Sequence, residues 1–236
     1  MERSILKNNA KSQLKGRWWL TIATLLVAGM IGSVASGIVS AVSEGLGVAV
    51  SFCIQGIVSF GITTYSLNVV RDRKASFTDI FDGFNLNIIL KALVLGLIST
   101  LATAAGMILF IVPGIIIGIM FSQAFFIFVE NNEKSPIDCI KESAEIMKGH
   151  KGEYFVLYLS FFGWGLLITA VFLALLFGGI LIGSGISILM IILSVIVVII
   201  GSLFLGAYMT ITFANYYVGL RAGREDNAEG NDYSEF

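Results

Sequence analysis

Long apolar tracts separated by short polar stretches dominate the chain. Charge is absent from Trp18 to Val70 except at Glu44, from Ala92 to Val129, and from Tyr154 to Leu220. A helix needs about 20 apolar residues to cross a bilayer core, so each tract has room for two crossings. Breakers divide them at Ser43-Glu44-Gly45-Leu46-Gly47, at Val112-Pro113-Gly114, and at Phe177-Gly178-Gly179 with Gly183-Ser184-Gly185 behind it. The pattern predicts an all-α, polytopic membrane protein with six transmembrane helices at about 18–42, 47–70, 88–111, 114–130, 154–177 and 185–215. Together they form three hairpins in a single transmembrane domain, residues 1–220. Residues 221–236, carrying Glu225, Asp226, Glu229, Asp232 and Glu235, read as a polar, acidic, disordered cytoplasmic tail.

Each hairpin follows an amphipathic stretch that ends in glycine: Leu14-Lys15-Gly16, Phe81-Asp82-Gly83 and Met147-Lys148-Gly149, at nearly equal spacing. Ser135 is a good N-cap, Pro136 suits the first helical position, and Asp138 meets the free N–H groups of the first turn. Ile137, Ile140, Ala144 and Met147 then share one face. A shorter helix begins at Ser76, with Phe77, Ile80, Phe81 and Phe84 as its apolar side. Both are expected to lie in the cytoplasmic interface.

Charge sets the orientation. All 15 Lys and Arg fall in the N-terminal segment, in Arg71–Lys91, in Lys134–Lys151 or in the tail, and the opposite loops hold none. Positive residues mark the cytoplasmic side, which puts both termini in the cytoplasm of a bacterial cell membrane. Two alternatives stay open and disturb this pattern. The first helix could be a signal peptide cleaved near Ala35-Ser36-Gly37, or the third tract could hold three crossings.

Composition narrows the function classes. Of 236 residues, 56% are hydrophobic and 13% charged, about half the charge of a soluble domain. A net charge of -1 gives no basic field for nucleic acid. Two cysteines and one histidine exclude a disulfide framework or a Cys/His zinc cluster, and no GxSxG, HExxH or phosphate-cradling loop is present. No catalytic, cofactor-binding or metal-binding set is therefore assigned, and the chain is expected not to be an enzyme. Buried charge of the kind coupled transporters use is missing too, leaving Gln55, Asn68, Gln123, Asn215, Tyr216 and Tyr217 as uncharged polar groups, of which Gln55 and Gln123 suit interhelical hydrogen bonds and the last three lie near the cytoplasmic end of the sixth helix. Gly29, Ser33, Gly37 and Ala41 form a small-residue stripe, and Gly114 with Gly118 a second pair, both suited to helix packing within the chain or in a homo-oligomer.

One stretch carries a resemblance. Ile-Lys-Glu-Ser-Ala-Glu-Ile-Met-Lys-Gly-His-Lys from Ile140, followed by Tyr-Phe-Val-Leu-Tyr-Leu-Ser-Phe-Phe-Gly-Trp, resembles the hallmark of an uncharacterised family of bacterial six-helix integral membrane proteins. Ser143, Met147, Lys148, Gly149, His150, Lys151, Ser160, Gly163 and Trp164 match it. Leu14-Lys15-Gly16, Asp82-Gly83-Phe84 and Val112-Pro113-Gly114-Ile115 support it, while Ala207-Tyr208 stands where the family often has Pro-Tyr. The resemblance implies a membrane protein and brings no activity. It singles out Lys148, Gly149, His150, Lys151 and Trp164 as an interfacial site for lipid or a partner. Two functions follow as expectations. One is a non-enzymatic accessory component that binds a membrane or cytoplasmic protein, and the other a small-solute or lipid permease.

Overall fold

The computed structural model describes residues 2–40, 44–182 and 185–232. Every regular element among them is helical: α1 (Arg3–Leu14), α2 (Trp18–Ser40), α3 (Glu44–Val70), a 3-10 helix η1 (Phe77–Phe84), α4 (Leu86–Leu109), α5 (Ile111–Phe121), α6 (Ala124–Glu130), α7 (Pro136–Ile146), α8 (Lys151–Ile182) and α9 (Gly185–Asp232). Among the described residues, four stretches are long and apolar enough to cross a membrane: Leu86–Leu109, Ile111–Glu130, Lys151–Leu181 and Ser187–Arg224. A fifth arises if α1 and the described part of α2, bent by 94° at Gly16, count as one. The chain is a membrane protein, and its surface agrees: Leu86, Ile108, Leu181 and many other large apolar side chains of α4, α8 and α9 face outward.

Several boundaries differ from the expectation. The α8 helix runs through Gly178 and Gly179 to Ile182 rather than ending at 177, since two glycines in an apolar helix find no water to compete for their backbone bonds. The α9 helix continues past 215 to Asp232, so residues 221–232 of the expected disordered tail are helical. Arg221, Ala222, Arg224, Glu225, Ala228 and Glu229 are mostly good helix formers, and the hydrogen-bonded ladder above them is already nucleated. The stretch expected as one helix over 114–130 is broken at Ser122-Gln123 into α5 and α6.

That break explains α7. Ser143 Oγ donates to Met120 O at 2.6 Å and accepts from Gln123 N at 3.2 Å, so one hydroxyl satisfies main-chain groups on both sides of the interruption. The buried side of α7 is consequently Cys139, Ile140, Ser143 and Ile146, with Met147 behind it, while Ile137 is exposed. This divides the predicted apolar face, which grouped Ile137 with Ile140, Ala144 and Met147. The N-terminus forms as read: Ser135 caps Asp138 N and Pro136 opens the helix.

The glycines expected to end three interfacial helices divide into two kinds. Gly16 and Gly149 both sit at φ +83°, the left-handed conformation that reverses a chain after a helix. Gly83 instead lets η1 press against α3, because a β-carbon there would stand 2.3 Å from Ile57 O. Gly61 makes the converse contact, with Ile80 O only 2.2 Å from its missing β-carbon. The predicted apolar side of η1 is thereby split, with Ile80 wholly buried and Phe77, Phe81 and Phe84 outward. A capping box at Ser76 and Asp79, and an Asn68 Nδ2 bond to Asp79 Oδ2 of 3.0 Å, hold η1 in register on α3.

Helices that follow one another in the chain also touch. Thr21 bonds the Tyr65 hydroxyl at 2.8 Å between α2 and α3, Gly106 meets Gly114 between α4 and α5, and Phe161 packs on Tyr208 between α8 and α9. The α1 helix is no free interfacial element either. Its Ala10 and Leu14 are fully buried, and Gln13 and Asn215 exchange amide bonds of 3.1 and 2.6 Å.

Candidate functional site

Charged side chains from α6, α7 and α9, and from the segments that follow α3 and α6, converge at one place. Glu130, the residue that closes the second apolar tract, accepts from the Tyr217 hydroxyl at 2.6 Å and from Arg221 Nε at 3.0 Å, and it also pairs with Arg71. Arg221 reaches Glu142 of α7 at 3.1 Å, and Lys134 pairs with the same carboxylate. Tyr217 and Arg221 are one turn apart on α9, so a single helix face presents both donors. The Glu130 side chain is only 15% exposed. Nearby, Arg17 pairs with Asp72 at 3.0 Å, and Lys91 Nζ donates to the carbonyls of Asn132 and Glu133 at 2.9 and 3.0 Å. This clamp was not among the residues singled out from sequence. Its signal was present all the same: one acid at the edge of an uncharged tract, and Tyr and Arg four apart at the edge of another.

The predicted interfacial site is brought together only in part. Lys148, Gly149, His150 and Lys151 make the turn from α7 into α8, held by His150 N to Met147 O at 3.2 Å and by the Tyr216 hydroxyl on His150 O at 3.2 Å. Lys148 and His150 line a cavity of about 350 Å³ with Glu145, Leu220 and Arg224. His150 Nδ1 lies 3.5 Å from Glu153 Oε2, too long for a strong hydrogen bond. Trp164 does not belong to this group. It lies 13 residues along α8 from Lys151, about 20 Å on an ideal helix, and is exposed.

The packing residues also separate. A β-carbon built on Gly29 or Gly37 would meet nothing within 4 Å, and the one on Gly118 would meet only Thr103 at ordinary contact distance. Gly114 is tightly held against Met107 and Gly106. Ser33 lies with Gly29 on the wall of a cavity of about 440 Å³ between α2 and α3, which Gln55 also lines. Ala41 is outside the described residues. Close backbone approaches lie elsewhere, at Gly56 against Ala92 and Gly96 and at the Gly61–Ile80 and Gly83–Ile57 contacts.

A further cavity, about 510 Å³, opens between α3, η1 and α6 and is lined by Thr64, Asp82, Asn85 and Asn132. Partial burial lifts the Asp82 carboxyl above the usual carboxylate range, with the nearby Asp79 charge adding to it. Among the described residues no cluster of His, Cys, Asp or Glu has the arrangement of a metal site.

Cys139 is fully buried on the inner side of α7, and burial pushes its thiol up to about 11. At pH 8 the thiolate fraction is then roughly 200-fold below that of a free cysteine. In a Cys53→Ser background, maleimide labelling of folded protein should be slower than that of denatured protein by at least that order. Equal rates in the two states would mean that α7 does not seat as described.

A family model described as Protein of unknown function (DUF975) matches residues 100–224, which is more than half of the chain. The chain belongs to this DUF975 family. No curated protein and no solved structure matches it. The DUF975 match begins inside α4 and covers α5 through most of α9. It therefore takes in Glu130, Lys134, Glu142 and Arg221 of the clamp and the whole Lys148–Lys151 turn, while Arg71 lies ahead of it.

Proposed function

We propose that this DUF975 protein is a non-enzymatic component of the bacterial cytoplasmic membrane, with six spans in three hairpins, both termini cytoplasmic, and a rigid cytoplasmic belt that serves as a docking platform for a membrane or cytoplasmic partner. The clamp on Glu130 carries the reading. Ion pairs of 2.9–3.1 Å between Arg221 and the carboxylates of Glu130 and Glu142, together with the Arg71 pair, bring the end of α3, the end of α6 and the Arg221 level of α9 together, which supports a shared side. Lysine and arginine gather at that level, and such bias marks the cytoplasmic face. The pairs are too well satisfied among themselves to be waiting for a substrate. They fix the belt, and the outer side of α7, with Ile137, Asp138, Lys141 and Glu145, is left for contact.

Topology is the first test. Single cysteines at Lys141 and Phe110, in a background without Cys53 and Cys139, should label from opposite sides of sealed cells. The first should react only after the inner membrane is opened. Labelling of both from outside would reject the proposed arrangement. Copurification from gentle detergent tests the platform, since a chain that always emerges alone has no stable partner. The permease reading draws on one observation, the Gln55 cavity between α2 and α3. Solute flux in liposomes made with the purified chain would favour it over the platform.

A further inference from the structure

Between α5 and α8 runs a groove of about 410 Å³, lined mainly by apolar atoms, with Gly114 and Gly118 on one wall and Tyr154 and Tyr158 on the other. This volume lies in the range of about 300–1,000 Å³ typical of small-molecule sites. Gly118 leaves the slot open, since a side chain there would meet only Thr103, while Gly114 lets the wall close against Met107. The wall from Ser122 to Gly114 is eight residues long, about 12 Å at the helical rise. Ser122 and Tyr154 supply hydroxyl-bearing side chains at one end. Lys151 stands three residues before Tyr154 and seven before Tyr158, which places it on the same face of α8, one turn beyond that end.

We infer that this groove seats one anionic phospholipid of the inner leaflet, an acyl chain in the slot and the phosphate at Lys151. The inference rests on the orientation given under Proposed function, which sets Lys151 at the cytoplasmic interface. Both walls belong to stretches apolar enough to cross a membrane, so hydrocarbon is what a groove between them meets. The distance from Lys151 to Gly114, one turn plus the wall, is about 17 Å, close to the half-thickness of about 15 Å of a hydrocarbon core. Charge complementarity selects the headgroup. Lys148 is in the same turn and lines a neighbouring cavity with Arg224, so Lys148, Lys151 and Arg224 outnumber the nearby acids Glu145 and Glu153.

The test uses the full chain, purified in mild detergent from membranes containing phosphatidylglycerol and phosphatidylethanolamine, with retained lipid counted by native mass spectrometry. Wild type should hold one phosphatidylglycerol. Gly118→Leu fills the slot where only Thr103 stands near, and it should cut retention about tenfold, the equivalent of about two unburied methylenes. Lys151→Gln should lower the preference for phosphatidylglycerol over phosphatidylethanolamine about fivefold, the contribution of one cation near an anionic surface. Unchanged melting of both variants checks folding. Wild-type retention and preference in both would overturn the lipid seat. Lys151→Cys separates this from the underlying orientation: labelling only from the cytoplasmic side with an unaltered preference for phosphatidylglycerol rejects the seat alone, and labelling from outside rejects both.

Discussion

Glu130→Ala should be the most damaging single substitution in the cytoplasmic belt. It removes the acceptor shared by Tyr217, Arg221 and Arg71, and it leaves two guanidinium groups side by side with Lys134 against one remaining carboxylate, Glu142. Breaking a buried pair by deleting one partner costs about 3–5 kcal/mol. The Arg71 and Arg221 side chains are 30% and 31% exposed, so water recovers part of this and the lower end, about 3 kcal/mol, is expected. Glu130→Gln keeps an acceptor for Tyr217 and should cost less. Melting of the detergent-solubilised protein measures both, and a double-mutant cycle with Arg221→Ala should return a coupling well above the 0–1 kcal/mol or so of a surface pair. A Glu130→Ala variant melting within about 0.5 kcal/mol of wild type would reduce the clamp to a surface decoration.

How much of this was legible beforehand depends on whether a feature is local. Ser135, Pro136 and Asp138 announce the start of α7 because capping acts within one turn. Gly16 and Gly149 announce reversals for the same reason. Charge position is also local, and the membrane class followed from it. The identity of partners across helices was not local. Ser143 stood out only as part of the hallmark run, since nothing near it in sequence says that α5 and α6 leave main-chain groups open 20 residues upstream. Gly29 and Gly56 look alike in sequence, yet only Gly56 meets another backbone. Spacing reports which residues share a face, not what the face meets. The clamp lies between these cases. The Tyr217–Arg221 pairing can be read from helical periodicity, but joining it to Glu130 requires knowing that positions 91 apart lie side by side. Trp164 shows the opposite error, a motif neighbour that the rise of α8 carries away from the turn.

Gly61→Ala should destabilise the protein where Gly29→Ala does not. At Gly61 the new methyl would stand 2.2 Å from Ile80 O and 2.5 and 2.6 Å from its Cα and carbonyl carbon. These are backbone atoms, so no side-chain rotation relieves the clash. Either η1 must lift from α3 or α3 must bend. Lifting η1 withdraws Ile80 from its fully buried position and pulls Asp79 away from Asn68, losing a contact of 3.0 Å as well as apolar burial. Overpacking costs about 1–3 kcal/mol when side chains can adjust, and the upper end is expected where they cannot. Gly29 presents the opposite situation, with nothing within 4 Å of the same methyl. Replacing a helix-interior glycine by alanine there should be neutral or stabilising by up to about 1 kcal/mol. The difference between the two melting points measures how firmly η1 is seated. Equal behaviour would mean that η1 floats in the interface as an independent amphipathic helix, which is the arrangement the sequence pattern alone suggested. A large gap would make the Gly61–Ile80 and Gly83–Ile57 contacts the joint that ties the connector to the bundle, so that the cavity beside Asp82 is bounded by fixed walls.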